Sequence, residues 1–509
     1  MEFKSILFNQ ETSQTIHEDE PDYFTDLNLD QVINTITKSK KEYNLKPFYH
    51  TPLVDYDLIL YRTEIMKDLA NVKLKTIIEN FAEKMVLMDQ DFKLHEKSDF
   101  EFHRKGWYLE TALIYIEAIN SLFTDLTSIN LNSSGLNQFK EYLAEYTKST
   151  KFISLVQAAS TNKKNLSSLK YCINLQEDWL SVKKYENEDD YSVEILETFD
   201  KFKQHNSKDY KIKMHNIERM NHIDGKILEF VARLFPKAFQ DLTAFYIQFP
   251  GFIDITISVF NREIQFYLAY LDFISKIKNK GLNFCFPTLC KTKQDVYNYN
   301  TFDIALASRF LSKNEQIVSN DFYLQDKERI IVVTGPNQGG KTTFARLFGQ
   351  IHYLARLGIP IPGSQAQLIL SDQIFTHFER EENITTLRGN LQNELVRLKK
   401  IFSNMTSNSI VIINEIFNST TLEDAAFLSK EILKKFIQSD CFGIIVTFLD
   451  ELSNFAPQTV SMVSNVDPDD PSVKTFKITR KESNGLAYAF SIAKKHRLTY
   501  DLIKERMKS

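Results

Sequence analysis

Residues 329–358 read RIIVVTGPNQGGKTTFARLFGQIHYLARLG, and this order of residue types predicts a strand, a loop and a helix. The run of four apolar residues from Ile330 is typical of a buried strand. It leads into the pattern GxxxxGKT, which begins at Gly335 and ends at Thr342. That spacing is the Walker A phosphate loop, in the strand, loop and helix context that the motif requires. The stretch therefore predicts an α/β domain that binds phosphates.

The residue types of this loop each suit a bound nucleotide. Backbone amides of a glycine-rich turn and of the following helix N-terminus point at phosphate oxygens. The ammonium group of Lys341 reaches the terminal phosphates, and the hydroxyl of Thr342 is a ligand for Mg²⁺. The alternative is a glycine turn that matches by coincidence. The predicted nucleotide-binding residues are Gly335, Pro336, Asn337, Gln338, Gly339, Gly340, Lys341, Thr342 and Thr343.

A second apolar run ends in two polar residues that suit hydrolysis. Residues 410–413 are all apolar, and Asn414 and Glu415 follow them directly. A glutamate at a strand end beside a phosphate loop orients or deprotonates the attacking water, so Glu415 and Lys341 are the predicted catalytic residues. Two alternatives for Glu415 stay open at this point: the N-cap of a helix, or a surface charge.

Asn414 is the unusual residue of this pattern. A Walker B strand usually ends in an aspartate, which brings a negative charge to the metal shell, whereas an amide is neutral. An amide oxygen still accepts a hydrogen bond from a metal-bound water. Asn414 and Thr342 are therefore the predicted metal residues, with weakened Mg²⁺ binding or weakened hydrolysis as the expected consequence.

The glycines separate a helical front of the chain from its last third. Nine of the 14 glycines lie from Gly335 onwards, so turns are concentrated there. Residues 106–123 and 225–242 repeat apolar residues at steps of three and four, as an amphipathic helix requires. A chain of 509 residues also exceeds what one hydrophobic core comfortably fills. We therefore expect a multidomain protein with a boundary near residue 300.

Charge and cysteine content exclude several classes of protein. A formal net charge of -4 means that any contact with nucleic acid comes from local basic patches. The four cysteines are too few and too scattered for a disulfide framework, which indicates buried thiols in a reducing compartment. No apolar run approaches the ~18 residues that cross a membrane. The prediction is a cytoplasmic protein without a membrane partner.

The sequence around the phosphate loop resembles the MutS family of DNA mismatch repair ATPases. The resemblance is strong over about residues 300–509, and weaker over 49–69, which look like the start of the family's helical core. It is carried by GPNQGGKTTFARLFGQIHYLARLGIPIP at 335–362, VSND at 318–321, NEIFNSTTLEDA at 414–425 and NGLAYAFSIAKKHRLTYDLIKERM at 484–507.

The resemblance implies a fold and a domain order. A mostly α-helical core and lever domain is expected over residues 1–300, followed by an α/β P-loop ATPase domain of the ABC/MutS type over 301–509. A small clamp-like insertion that contacts DNA is expected at about 185–220, where the helical pattern lapses. Its basic residues suit contact with DNA phosphates, although a solvated surface is the alternative. They are Lys201, Lys203, Lys208, Lys211, Lys213 and Arg219.

The resemblance also implies a site shared between two chains. ATPase sites of the family are composite, completed by a serine or threonine of the opposite subunit, so a homodimer is expected. Thr385 or Thr386 lies where that element would be, and a helix cap is the alternative for both. Phe448 stands where the family has a histidine near the nucleotide, although it could equally fill the core. Asn418 and Ser419, in the loop after the Walker B strand, stand where the family has an arginine and a glycine.

The expected function follows from the loop and from the resemblance together. The protein is expected to bind ATP and Mg²⁺ and to hydrolyse ATP, which switches its hold on mismatched, branched or distorted DNA in DNA repair. The resemblance begins at the helical core, so a domain that reads single mismatches is not expected. The alternative is an ATP-binding scaffold or regulator with little or no hydrolysis and a protein partner.

Overall fold

The computed structural model describes residues 3–9, 16–176, 179–187, 222–313, 315–379, 390–417, 420–467, 473–483, 500 and 503–504. The chain forms two compact units. The first consists chiefly of Val72–Asn130 and Asn137–Asn261, and the second of Phe3–Asn71, Leu131–Leu136 and Arg262–Ser509. The expectation of a multidomain chain that combines helices with sheets is confirmed, and the boundary near residue 300 stays a prediction.

The regular elements are numbered along the chain. The helices are α1 (Leu29–Thr37), α2 (Lys46–His50), α3 (Tyr56–Leu69), α4 (Val72–Lys97), α5 (Glu101–Thr127), α6 (Ser134–Lys148), α7 (Thr150–Ser167), α8 (His222–Leu234), α9 (Pro236–Gln248), α10 (Ile255–Lys278), α11 (Ile304–Arg309), α12 (Lys341–Arg356), α13 (Asn390–Asn404) and α14 (Leu422–Ser439). The strands are β1 (Tyr171–Gln176), β2 (Trp179–Lys184), β3 (Phe284–Cys285), β4 (Thr288–Cys290), β5 (Val296–Thr301), β6 (Asn320–Leu324), β7 (Ile330–Thr334), β8 (Ile361–Pro362), β9 (Gln365–Ile369), β10 (Ile374–Phe378), β11 (Ile410–Asn414), β12 (Phe442–Val446), β13 (Thr459–Val466) and β14 (Lys474–Arg480).

The first unit is built on two long helices. α4 and α5, of 26 and 27 residues, pack along each other, and their buried residues recur at steps of three and four. The predicted helix over 225–242 is two helices, α8 and α9. Pro236 begins α9, because its fixed backbone angle and missing N–H suit the first turn of a helix and interrupt a helix interior.

Strands β1 and β2 form an antiparallel hairpin in the first unit, pairing Tyr171 with Lys184 and Gln176 with Trp179. The predicted clamp-like insertion at 185–220 follows this hairpin. Beyond residue 187 that insertion, with its six basic residues, lies outside the described residues.

The second unit is organised around a six-stranded sheet with the order β10-β11-β12-β7-β13-β14. The first five strands are parallel, and β14 runs antiparallel to β13. Every residue of β7, β11 and β12 is buried, which explains why these strands are continuous apolar runs without alternation. Parallel strands end at one edge of a sheet, so the residues after β7, β11 and β12 lie along the same edge.

The N-terminal residues of the second unit pack against α12, the helix that follows the phosphate loop. A Cβ on Gly349 would lie 2.7 Å from Leu27 Cδ1, so a larger residue here would displace the Leu27 side chain. Gln350 donates to the carbonyl of Leu27 at 2.9 Å, and the hydroxyl of Tyr353 donates to the carbonyl of Tyr49 at 2.7 Å. Residues 3–71 and α12 therefore share one core.

The structure bears on two predictions, the state of the cysteines and the lack of a membrane-spanning segment. None of the four cysteines forms a disulfide, but only Cys441 is buried, so the expectation of buried thiols is wrong for the other three. Among the residues that the structure describes, no helix combines the length and apolar character needed to cross a membrane.

Candidate nucleotide-binding site

The phosphate loop connects β7 to α12 and is closely covered by β13. Gly335 and Gly340 have φ angles of 116° and 94°, a region that favours glycine. A Cβ on Gly335 would lie 3.0 Å from the carbonyl oxygen of Ser464, and a Cβ on Gly339 would overlap the Ser464 hydroxyl. That hydroxyl donates to the carbonyl of Gly339 at 2.7 Å. The loop can therefore take this path only with glycines facing β13.

Lys341 opens α12, and its ammonium group folds back over the loop. Nζ donates to the carbonyls of Gly335 at 2.9 Å and Pro336 at 3.1 Å, and to Oδ1 of Asn337 at 3.2 Å. The residue is only 4% exposed. Burial lowers the pKa of Lys341, the Glu415 carboxylate opposes this shift, and the positive charge of Lys474 adds to it. The loop thus holds a buried cation where phosphates would bind.

Asn414 ends β11, where it pairs with Val446 of β12. The residue is 7% exposed, and its Oδ1 has no hydrogen-bond partner among the described residues. An amide oxygen buried without a donor costs free energy, since it has lost its hydrogen bonds to water. A bound ligand that brings a donor, such as a water held with a nucleotide, would remove that cost.

Glu415 follows Asn414 and faces the phosphate loop. Its φ angle of 53° is uncommon for a residue with a side chain, and its backbone N–H donates to the carbonyl of Val446 at 3.0 Å. Its Oε1 lies 3.8 Å from Nζ of Lys341. Thr421 is the N-cap of α14, the helix that follows, so Glu415 does not have that capping role.

A cleft of about 390 Å³ opens beside the loop. Lys341, Thr342, Thr343 and Glu415 line its polar part, so the structure brings these predicted residues together around one space. The remaining lining is largely apolar and suits a flat aromatic base. Its apolar members include Leu306, Phe310, Ile317, Val318, Phe344 and Phe476.

Sequence reasoning missed most of this apolar lining. Val318 and Asn320 belong to the VSND segment, and Phe344 and Leu347 to the segment 335–362, both of which were singled out. The other members come from α11, from the residues after it and from β14, which are far from the loop along the chain. Phe476 lies near the start of a strand with alternating residue types. The sequence alone does not tell whether such an aromatic residue lines a cleft or fills the core.

Other predicted residues lie elsewhere. Phe448 is 47% exposed, so it does not fill the core, and it is absent from the described lining of the cleft. Thr385, Thr386, Asn418 and Ser419 lie outside the described residues. Their predicted roles therefore stay predictions.

The residues of the site fit a Mg²⁺ ion that arrives with a nucleotide. The described residues contain no group of three or more His, Cys, Asp or Glu side chains that could hold a metal alone. Mg²⁺ in nucleotide sites is held mainly by phosphates and water, with one or two protein oxygens. The hydroxyl of Thr342 and the unpartnered Oδ1 of Asn414 are oxygens of that kind.

Comparison with known proteins agrees with this geometry. The family model of MutS domain V matches residues 331–508. An endonuclease MutS2 of Thermus thermophilus is 30% identical over 196 residues, which are 37% of this chain and 25% of that protein. A DNA mismatch repair protein MutS of Thermotoga neapolitana is 27% identical over 194 residues, 38% of this chain and 24% of that protein.

A third relative extends the match. The DNA mismatch repair protein MutS of Prochlorococcus marinus is 30% identical over 250 residues, which are 46% of this chain and 26% of that protein. The matched part of this chain thus spans about a quarter of the length of these relatives. The resemblance seen in the phosphate loop and the strand after it is confirmed: residues 331–508 match MutS domain V, and this part of the chain is similar to MutS and MutS2 proteins.

Proposed function

We propose that this protein binds and hydrolyses ATP and uses the cycle to change its hold on mismatched, branched or distorted DNA in DNA repair. The observation that carries the proposal is the pairing of Lys341 and Glu415, 3.8 Å apart, across the polar part of one cleft. Two of the relatives compared are named DNA mismatch repair proteins, which supports DNA as the partner.

The chemistry of hydrolysis follows from the positions of the side chains. On binding ATP, the ammonium group of Lys341 moves from the loop carbonyls to the terminal phosphate oxygens and neutralises their charge. The Glu415 carboxylate orients a water and accepts its proton as the water oxygen attacks the γ-phosphorus, and ADP leaves. Mg²⁺ bound with the nucleotide supplies further neutralisation, with Thr342 and Asn414 as the residues that would hold it.

The wider arrangement of the protein is part of the same proposal. Residues 1–300 are assigned as a helical core and lever, with a clamp over about 185–220, and residues 301–509 as the ATPase domain. Two chains would form a homodimer in which Thr385 or Thr386 of one chain completes the ATP site of the other. A change in closure on ATP binding then alters the grip on DNA, because the nucleotide binds the closed state better.

One observation favours a second candidate function. The neutral amide of Asn414 in place of a carboxylate suits an ATP-binding scaffold that scarcely hydrolyses ATP and has a protein partner. The two functions differ in turnover, since the scaffold binds ATP without consuming it.

Steady-state ATP turnover, measured with and without linear and branched DNA, tests the proposal. Lys341→Ala and Glu415→Ala serve as matched variants of the two halves of the site. We expect turnover that DNA stimulates and that both variants abolish. Wild-type protein that binds ATP without turnover, with binding lost in Lys341→Ala, would replace the proposal with the scaffold.

A further inference from the structure

Lys474 places a second ammonium group at the phosphate loop. It begins β14, and its Nζ donates to Oε1 of Gln338 at 3.1 Å. Gln338 lies in the middle of the loop with a φ angle of 59°, uncommon for a residue with a side chain. The loop is therefore flanked by two cations, Lys341 from within and Lys474 from the neighbouring hairpin.

The start of β14 is anchored to β6 by the side chain of Asn320, and it lies close to the loop. The amide of Asn320 donates to the carbonyl of Phe476 at 3.3 Å, and its Oδ1 accepts from the backbone N–H of Ile478 at 2.7 Å. The Cα of Phe476 lies 3.8 Å from the point where a Cβ on Gly340 would stand. Lys474 is two residues from this anchored position, so its side chain stays within reach of the loop.

The described groups nearest the loop differ in charge. Lys341 and Lys474 are cationic, Glu415 is anionic, and Asn414 at the end of β11 is neutral. The other carboxylates that line the cleft are already engaged. Asp303 accepts from the backbone amides that begin α11 and from Gln350, and Glu315 lies 3.9 Å from the ammonium group of Lys313.

The two ammonium groups also repel each other. The charge of Lys474 lowers the pKa of Lys341, which means that the two groups are close enough to interact. A polyphosphate bound in the loop would relieve this repulsion, since it places negative charge beside both. Lys474 would exchange the amide oxygen of Gln338 for a phosphate oxygen, and an ionised acceptor gives the stronger hydrogen bond.

We propose that Lys474 is a phosphate-binding residue of the nucleotide site, and that Lys474 and the neutral Asn414 together let this protein bind nucleoside triphosphates almost as well without Mg²⁺ as with it. The inference rests on the proposed nucleotide site. An aspartate at the end of β11 would repel the phosphates of ATP unless Mg²⁺ lay between the carboxylate and the phosphates. A neutral amide does not repel them. Lys474 supplies the positive charge that the metal otherwise brings.

Equilibrium binding of ATP to the full chain, in excess Mg²⁺ and in excess EDTA, tests this inference. For wild-type protein we expect the two dissociation constants to agree within about threefold. Lys474→Gln should weaken binding in EDTA by about tenfold and binding in Mg²⁺ by less, since the metal then shields the phosphates. Asn414→Asp should widen the ratio of the two constants to about tenfold or more, through repulsion of the bare phosphates.

Lys477→Gln is the matched control. Lys477 is a lysine of the same strand, but its ammonium group donates to the carbonyl of Ser319 at 2.7 Å and lies 3.3 Å from a carboxylate oxygen of Asp321. We expect this variant to bind ATP like wild type in both buffers.

Two outcomes would overturn the inference. One is a loss of more than about tenfold in wild-type affinity when EDTA replaces Mg²⁺, and the other is a Lys474→Gln variant that binds like wild type in both buffers. In either case, the proposed nucleotide site is still supported if wild-type protein binds ATP in Mg²⁺ and Lys341→Ala does not. Wild-type protein that binds no ATP in either buffer would overturn both.

Discussion

The phosphate loop and the end of β11 are the two halves of the proposed nucleotide site, and they differ in how far the chain itself satisfies their polar groups. In the loop, the ammonium group of Lys341 has three oxygen acceptors within 3.2 Å, all from the loop itself. At the strand end, Oδ1 of Asn414 is buried without a partner among the described residues, and Glu415 has a left-handed backbone. The loop satisfies its buried cation by itself, whereas the strand end leaves a buried amide oxygen that a ligand would satisfy.

This difference indicates that the two halves of the site have different roles in binding and hydrolysis. A preorganised loop binds phosphates without rearranging its backbone, so affinity should depend mainly on the loop. A strand end with an unsatisfied amide oxygen and a carboxylate contributes most when water and phosphates are present, so turnover should depend mainly on it. Variants in the two halves should therefore separate binding from hydrolysis.

The largest expected effect is on hydrolysis at the strand end. Glu415→Gln keeps the shape of the side chain but removes the base, so single-turnover hydrolysis of ATP should slow by at least about 100-fold. ATP affinity, measured on the same protein, should stay within about threefold of wild type. Hydrolysis at the wild-type rate would remove Glu415 from the mechanism.

The next largest effect is on binding at the loop. Lys341→Ala removes the cation that faces the phosphates, so the dissociation constant for ATP, measured by equilibrium titration, should rise by about 100-fold. Lys341→Arg is the control that keeps the charge and should lose less. If Lys341→Ala and wild type bind ATP equally, affinity does not reside in the loop.

Asn414→Asp should produce a smaller change, and it sharpens the comparison because it gives the strand end the missing carboxylate. In excess Mg²⁺, we expect tighter ATP binding or faster turnover, by about tenfold at most, since an anionic oxygen attracts the metal more strongly than an amide does. Binding and turnover that both stay level or fall would show that the site has adapted to the amide.

The smallest effect on the site is expected from Gln350, which is fully buried between the cleft and the N-terminal residues. It accepts from the backbone N–H of Ile304 and donates to Asp303 and to the carbonyl of Leu27. Gln350→Leu leaves these groups unpaired, so denaturant titration should show a loss of about 2 kcal/mol in the free energy of unfolding.

The same substitution loosens α11, whose residues line the cleft. ATP affinity of Gln350→Leu should therefore fall by about threefold. Gln350→Glu keeps the acceptor and most of the shape but loses a donor, and it serves as the matched variant. Unchanged stability in both variants would contradict the role of Gln350 as a link between α11 and Leu27.

The parts of the site that were predictable from the sequence are those formed by contiguous residues. The loop from Gly335 to Thr342 and the strand that ends at Asn414 are local patterns, because buried parallel strands are unbroken apolar runs and phosphate loops need glycines at fixed spacing. Lys474, Phe310 and Ile317 escaped prediction. Strand pairing and packing across long stretches of chain bring Lys474 to the loop and the other two to the cleft beside it, and their local patterns are ordinary.

The fold shows the same contrast. The long helices α4 and α5 follow from a periodicity of three and four residues. The packing of Leu27 against Gly349 joins residues more than 300 positions apart, and nothing in the N-terminal sequence marks it. The break at Pro236 was visible, but the apolar period continues through it, so periodicity alone gave one helix where there are two.

The most direct test of the central claim is the affinity for a branched DNA duplex, measured by fluorescence anisotropy with ATP, with ADP and without nucleotide. Glu415→Gln is the informative variant, since it should hold ATP unhydrolysed. We expect its dissociation constant for DNA to differ by at least about fivefold between ATP and ADP, and DNA to change the ratio of its ATP and ADP affinities by the same factor. An affinity for DNA that is the same in all three nucleotide states would contradict an ATP-driven switch.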